Sequence, residues 1–477
     1  MFAYLRRRWS AEGGYREFLR LALPLILSTA SWSVQHFIDR VFLTWHSTAA
    51  LAAALPAGMA SFTFLSLFMG IVGYANTFVA QYIGARRPER VGPAVWQGIY
   101  LALVSGLLAL IPAAFATPLF DLIGHDAVIR QEETEYFRIL CYGTGPQVLS
   151  TAASCFFSGR GQTWVVLAVN VVAISVNILL DYGLIFGHWG LPAMGIAGAA
   201  WATNIGLMIA ALSFLGLFLR RQYREEFATL RGWRFDPKLF RRLLRFGGPN
   251  GLNFMLDIMA FSLFILVVGK LGPIPLAATN LAFNVNSLAF MPLIGCGIAI
   301  STMVGQRLGR DAPAEAEYCT WTGSHIAFAY MGTMVLGYVF LPEFFLSPFD
   351  LRAQDADFIE ARDTAIILLR FVAIYCLFDA FYMVFTAALK GAGDTRFIMW
   401  VSVTMAWAIM VIPSFVALTY FGAGLFVLWG FICAFIIIMG MVFFFRFRAG
   451  KWKSMRVIEQ TPVVGEGEGA GSGIREV

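Results

Sequence analysis

Charge is scarce in this sequence. Of its 477 residues only 13% are Asp, Glu, Lys or Arg, against about a quarter in an average soluble domain. That shortage, beside 59% apolar residues, excludes a disordered chain, a secreted disulfide scaffold and nearly every soluble enzyme. Cysteine is scarce too. Cys141, Cys155, Cys296, Cys319, Cys376 and Cys433 form no CxxC pair, so no thiolate metal cage or disulfide framework is expected and all six read as packing residues. The five histidines are scattered without ligand spacing and are assigned no chemistry. HxxxD motifs are missing, the one DxD string (Asp355-Ala356-Asp357) belongs to an acidic outer loop, and no stretch between apolar segments is long enough to hold a catalytic domain. An integral-membrane transferase therefore has little to support it.

What is abundant is apolar length. Mean hydropathy is +0.71, and twelve apolar segments can be marked at about 18–45, 51–80, 93–118, 136–158, 163–187, 194–219, 246–269, 276–304, 318–342, 364–389, 397–419 and 422–445. At about 20 residues per crossing, twelve crossings would use half the chain. Open-edged sheets cannot sit in lipid and barrel strands are far shorter, so these are helices of an all-α polytopic membrane protein. The first follows Arg6-Arg7-Arg8; it is too long for a signal peptide and has no convincing cleavage site, so it is read as retained.

The net charge of +6 then serves as a topology signal and points to no nucleic-acid partner. The N-terminus, the 2–3 loop (Arg86, Arg87, Arg90), Arg160, the stretch from Arg220 to Arg245, the positions Arg307, Arg310, Lys390 and Arg396, and the C-terminus hold 28 of the 35 basic residues. Six lie on the other side, and Arg40 lies inside a helix. The positive-inside rule puts both termini and the long 6–7 loop in the cytoplasm. Acids mark the outer loops: Asp121, Asp126, Glu132, Glu133 and Glu135, then Asp350, Asp355, Asp357, Glu360 and Asp363. The expected division is a cytoplasmic N-terminus (1–17), an N-lobe (18–219), a linker (220–245), a C-lobe (246–445) and a cytoplasmic tail (446–477). The Gly/Glu-rich end of that tail is expected to be disordered.

The halves repeat. Shifted by 225 residues, about 80 positions align without a gap: Pro24 meets Pro249, Gln81 meets Gln306, Gly84 meets Gly309, and Trp96 meets Trp321. At an offset of 232, Arg138 meets Arg370 and Gly159-x-Gly161-x-Thr163 meets Gly391-x-Gly393-x-Thr395. Six is an even number of crossings, so the units share one orientation, related by a pseudo-twofold axis along the membrane normal. Alternating-access transporters are built this way, with a site between the lobes.

Ionisable residues within membrane helices are functional candidates by default. Asp39, Asp181, Asp257 and Asp379 qualify. Asp39 lies ~28 Å and Asp181 ~27 Å along their helices from the cytoplasmic edge, which allows one shared level. Asn177 shares the Asp181 face, and Thr203 falls at a similar depth. Asp257 and Asp379 each lie ~17 Å deep, with Asn253 on the face of the first and Tyr375 and Tyr382 on that of the second. With Gln35, those last three are the candidate cavity residues. Carboxyls that share a desolvated site need a proton or a cation between them, and their oxygens also suit Na⁺. One such site cannot comfortably hold a coupling ion and a cationic cargo together, which is the physical basis of antiport. Pro24, Pro146, Pro249 and Pro292 fall inside helices, where a lost backbone hydrogen bond permits a bend that could serve as a gate.

Together these features resemble the MATE family of multidrug and toxic-compound efflux transporters, over nearly all of residues 15–446. The resemblance rests on Leu23-Pro24-Leu25 with Asp39, Val79-Ala80-Gln81 with Gly84-Ala85, and Asn177-Ile178-Leu179-Leu180-Asp181. It continues through Gly195-x-x-Gly198-Ala199-Ala200-x-Ala202-Thr203, Gly247-x-Pro249 with Asp257, and Asp379 followed by Leu389-Lys390-Gly391. It implies a V-shaped molecule of two six-helix lobes in the bacterial inner membrane, a monomer without cofactor, exporting small organic, often cationic drugs against H⁺ or Na⁺. Asp39, Asn177, Asp181 and Thr203 match the family's N-lobe cation or proton cluster, and Na⁺ would bind there. Asp257 and Asp379 match the C-lobe acids of its NorM-type branch, where the first is commonly Glu; Asp257 shortens that arm by one methylene. The runner-up is a flippase of the same superfamily carrying a lipid-linked precursor. It would want basic residues in the cavity, and Arg40 is the only clear intramembrane cation. A major-facilitator protein would carry a Gly-x-x-x-Asp-Arg-type motif where this chain has Gly84-Ala85-Arg86-Arg87-Pro88-Glu89-Arg90.

Overall fold

The computed structural model describes residues 8–123, 125–347 and 356–459. Arg6, Arg7, Asp350, Arg352, Asp355, Arg475 and the Gly/Glu-rich tail lie outside the described residues.

The described chain forms twelve helical rods and no strand. In the N-lobe these are α1 (Tyr15–His46), α2 (Thr48–Gly73, continued by Ala75–Gly84), α3 (Val91–Leu108, Leu110–Ala114 and Ala116–Ile123), α4 (Ala127–Tyr142 and Thr144–Gly159), α5 (Thr163–Phe186) and α6 (Gly195–Phe218). The C-lobe has α7 (Pro237–Gly269), α8 (Pro273–Gly309), α9 (Pro313–Phe340), α10 (Ala356–Ala392), α11 (Thr395–Met405, a π-helical turn at Ala406–Val411, and Ile412–Phe421) and α12 (Leu425–Arg448). Ten rods are long and apolar enough to cross a membrane by length and composition alone. The exceptions are α4, split at Gly143, and α9, which opens with Glu315 and Glu317. Both described chain ends lie at one end of the bundle, called proximal below.

Proline chemistry explains where rods break. A proline ring clashes with the carbonyl four residues earlier and leaves it without a donor. Leu108, Ala114 and Tyr142 end helices four residues before Pro112, Pro118 and Pro146. The π-turn in α11 sits just ahead of Pro413 for the same reason. Pro146 is thus the one of the four expected bend sites that interrupts its rod. Pro24, Pro249 and Pro292 lie inside α1, α7 and α8, which run on without a break. At the start of α7, Asp236 caps the N–H groups of Lys238 and Leu239 at 3.0 and 3.1 Å and Pro237 takes the first position, where no N–H is needed. The rod therefore begins within the stretch expected to be linker.

The two lobes meet along a seam whose partners are those the repeat aligned. Gln81 donates to the carbonyl of Gly391 at 2.9 Å, and Gln306 donates to the carbonyl of Gly159 at 2.8 Å. Each bond is the pseudo-twofold image of the other. The same relation holds where α2 crosses α7 and α8 crosses α1. A Cβ on Gly70 would stand 2.6 Å from Gly251 Cα, and one on Gly295 would stand 2.6 Å from Ile26 N. Ion pairs close the proximal end further, from Arg307 to Glu17 at 2.9 Å and from Arg310 to Glu12 at 3.2 Å.

Gln81 is fully buried and also accepts from Val457 N–H at 2.9 Å, whereas Gln306 has one inter-lobe bond and is partly exposed. Leaving a buried group unsatisfied costs about 1–3 kcal/mol. Gln81→Ala is therefore expected to lower the thermal midpoint in detergent more than Gln306→Ala does. Equal losses would contradict this account of the seam.

Candidate functional site

The N-lobe acids are set at one level by register. Asn170 on α5 donates to Ser28 on α1 at 2.6 Å, and the two rods run parallel. Eleven residues beyond this bond, about 16 Å along each axis, come Asp39 and Asp181. Their carboxyl groups are direct neighbours. Asp181 is fully buried, and Asn177, one turn below it, is almost as enclosed. The antiparallel α6 closes the third side: its Gly206 lets the backbone approach until a Cβ there would stand 3.1 Å from Asn177 Cβ. Thr203 lies on that face one turn further from the proximal end, half-buried at the level of Asp181. The structure thus brings Asp39, Asn177 and Asp181 together, and helix register sets Thr203 at their level.

Its chemistry is unusual for a packed interior. One oxygen of Asp39, both oxygens of Asp181 and both amide heteroatoms of Asn177 are buried without a hydrogen-bond partner. Buried polar groups are nearly always satisfied, so this cluster of orphaned polar atoms is a candidate site. Two further residues lie within its field: His36, one turn below Asp39, and Tyr136 of α4. Neither was legible in the sequence. His36 had no ligand spacing, and Tyr136 stood at the charged edge of an apolar segment. Gln35 is half-buried on α1, one turn below Asp39.

Arg40 points elsewhere. Its guanidinium donates to Asn284 Oδ1 of α8 at 3.2 Å, crossing to the other lobe, and among the described residues it makes no ion pair with Asp39.

The C-lobe acids are arranged differently from the N-lobe pair. Asp257, half-buried, accepts from Asn253 Nδ2 at 2.5 Å on the same face of α7, while the Asn253 carbonyl oxygen is buried without a partner. Asp379 is buried on α10. Tyr382 lies in the field of both acids, and Tyr375 in that of Asp379. No direct interaction between the two carboxyls is present among the described residues. Instead, the charge nearest Asp257 is Lys390. That residue reads in sequence as a marker of the membrane edge, but α10 runs on to Ala392 and the Tyr74 hydroxyl holds the Lys390 carbonyl at 2.7 Å. Its ammonium is turned inward.

Glu133, read as an outer-loop acid, lies on α4, where it is fully buried and bonds His125 Nδ1 at 2.8 Å. The six cysteines are each buried and unpaired.

The family model MatE matches residues 24–183 and 249–416. The "Probable multidrug resistance protein NorM" of Brucella suis biovar 1 (strain 1330) is 27% identical over 410 residues, 85% of this chain and 87% of that protein. Among solved structures, MATE in complex with MaL6 superposes with a TM-score of 0.83 at 20% identity, covering 93% of this chain and 98% of that one. An outward-facing multidrug resistance MATE family transporter of the MOP superfamily gives 0.81 at 19% identity, with the same coverage.

Proposed function

The chain belongs to the MatE family, and from that premise we propose that it is a secondary transporter exporting small organic, chiefly cationic compounds in exchange for H⁺ or Na⁺. The name of its Brucella relative supports the drug-efflux part. The observation that carries the coupling part is the orphaned Asp39–Asn177–Asp181 cluster between α1, α5 and α6. A proton would sit between the two carboxyls. Sodium would instead take the oxygens of Asp39, Asn177, Asp181 and Thr203, a hard-oxygen set of the kind alkali cations prefer. Asp257 and Asp379 form a second acidic region that bears on cargo or ion in the C-lobe.

The proximal end carries the basic excess, so it faces the cytoplasm of a bacterial inner membrane. With that end sealed at the Gln81 and Gln306 bonds, cargo cannot enter from the cytoplasm in this conformation. Once the lobes have rocked outward the ion binds the acids and releases the cargo, and the seam then parts so that the lobes can reload from inside. Each ligand moves this equilibrium only as far as it binds the two states differently.

The test is transport by the purified protein in liposomes, with ethidium as cargo and a proton or a sodium gradient imposed separately. Ethidium is expected to move under one gradient and not the other, which names the ion. Failure under both would overturn the efflux reading. It would favour the lipid-precursor alternative, for which Arg40 is a cation able to meet a phosphate.

A further inference from the structure

The segment after α12 does not leave the bundle. It turns back at Gly450, and the Trp452 ring stacks on Phe447 at 4.9 Å while its Nε1 donates to the Phe447 carbonyl at 2.9 Å. That fastens the segment to the C-lobe. Arg456 then pairs with Asp311 at 3.0 Å, and fully buried Val457 gives its N–H to Gln81 of the N-lobe. The described chain ends on Glu459. Its carboxylate accepts from the Tyr82 hydroxyl at 3.0 Å, Arg87 at 3.0 Å and Arg90 at 3.1 Å, all on the N-lobe, and from Arg242 at the start of α7.

We propose that residues 451–459 are a latch across the proximal seam, fastened while that end is closed and released when it opens. The reason is connectivity. Trp452 is held by the C-lobe and Glu459 chiefly by the N-lobe, so the lobes cannot part there without withdrawing one of the two. Glu459 is the one free to go: it is partly solvent-exposed and borders a cavity of about 260 Å³ lined by Arg90, Lys238, Leu239 and Arg242, whereas Trp452 is buried. Charge-assisted, the Arg–carboxylate contacts are of the strong class.

Protonation does not work this latch. Burial opposes the charged form of Glu459, but its own backbone N–H, the Tyr82 hydroxyl, Arg90 and Arg242 outweigh that and hold the carboxyl at about 2. A carboxyl depressed in this way keeps its contribution above its ordinary value of 4.5 and loses it only as pH falls toward about 2. Movement, not titration, releases it.

The inference rests on the lobes parting at the proximal end, and its test does not depend on transport. Spin labels at the exposed positions Arg221 and Arg396, one beside each lobe, report the proximal separation in the full chain reconstituted in lipid. Glu459→Gln is expected to raise the share of long distances at least threefold over the parent at neutral pH. Arg87→Gln together with Arg90→Gln is expected to do the same from the other side of the contact. Distance distributions that match the parent in both variants would overturn the latch. Failure of the efflux reading has a separate signature, an unlatched or latched protein that moves no ethidium under either gradient.

Discussion

Asp181→Asn is expected to reduce gradient-driven export by more than tenfold while leaving the thermal midpoint unchanged or slightly higher. The two halves of that expectation come from one observation. Asp181 is fully buried and both its oxygens lack a partner, so as a structural element it contributes little or is costly. Replacing a buried, uncompensated charge by a neutral isostere is commonly neutral or stabilising. The same carboxyl, facing Asp39, is what a proton or sodium ion would bind, and Asn offers no negative charge for either. Asp39→Asn should behave alike. Export that persists in both variants under a saturating ion gradient would remove the N-lobe cluster from the coupling mechanism. If Asp379→Asn then abolished export, coupling would belong to the C-lobe. Stability and transport must be read on the same preparations, because a loss of both would indicate misfolding instead.

Gly84→Val should strike the other half of the cycle, at the seam. A Cβ on Gly84 would collide with the carbonyl of Gln306 and stand 3.0 Å from Gly309 Cα, and a Cβ on Gly309 would collide with the carbonyl of Gln81. These neighbours are backbone at a crossing of two rods, so they cannot rotate away as a flexible side chain would. Overpacking of this kind costs about 1–3 kcal/mol, enough to shift a two-state equilibrium by about five- to 150-fold. Only the conformation with the proximal end closed has this contact, so the lobes should be driven apart there. The label pair at Arg221 and Arg396 should then show mainly long distances, with export reduced at least tenfold. Gly332→Ala, where a Cβ meets nothing within 4 Å, is the matching control and should leave both readings unchanged. A Gly84→Val protein with the parent's distances would mean that the seam yields elsewhere and that close backbone approach is not what seals it.

Particular residues show how far the chain can be read before its structure is known. The twelve rods follow from apolar length, and the pseudo-twofold seam follows from the 225- and 232-residue offsets, because duplicated sequence folds into duplicated contacts. Gln81 and Gln306 were visible as a pair without any hint that each bonds a glycine of the opposite lobe. The level shared by Asp39 and Asp181 follows from rise per residue along two straight rods that start at the same surface. Residue counting could not place Lys390, since whether a lysine at a rod end turns outward to water or inward to Asp257 depends on what packs beside it. Nor could it tell that Asp257 would face a lysine instead of Asp379, or that Glu133 would be enclosed.

Linear pattern was sufficient for the membrane class, the number and order of rods, the lobe symmetry and the N-lobe cluster, because each depends on composition or on spacing along one axis. The partners of Arg40, Asp257 and Glu459, and the return of residues 451–459 across both lobes, needed the packed structure. Those contacts join positions more than a hundred residues apart through side-chain direction, which no periodicity along the chain encodes.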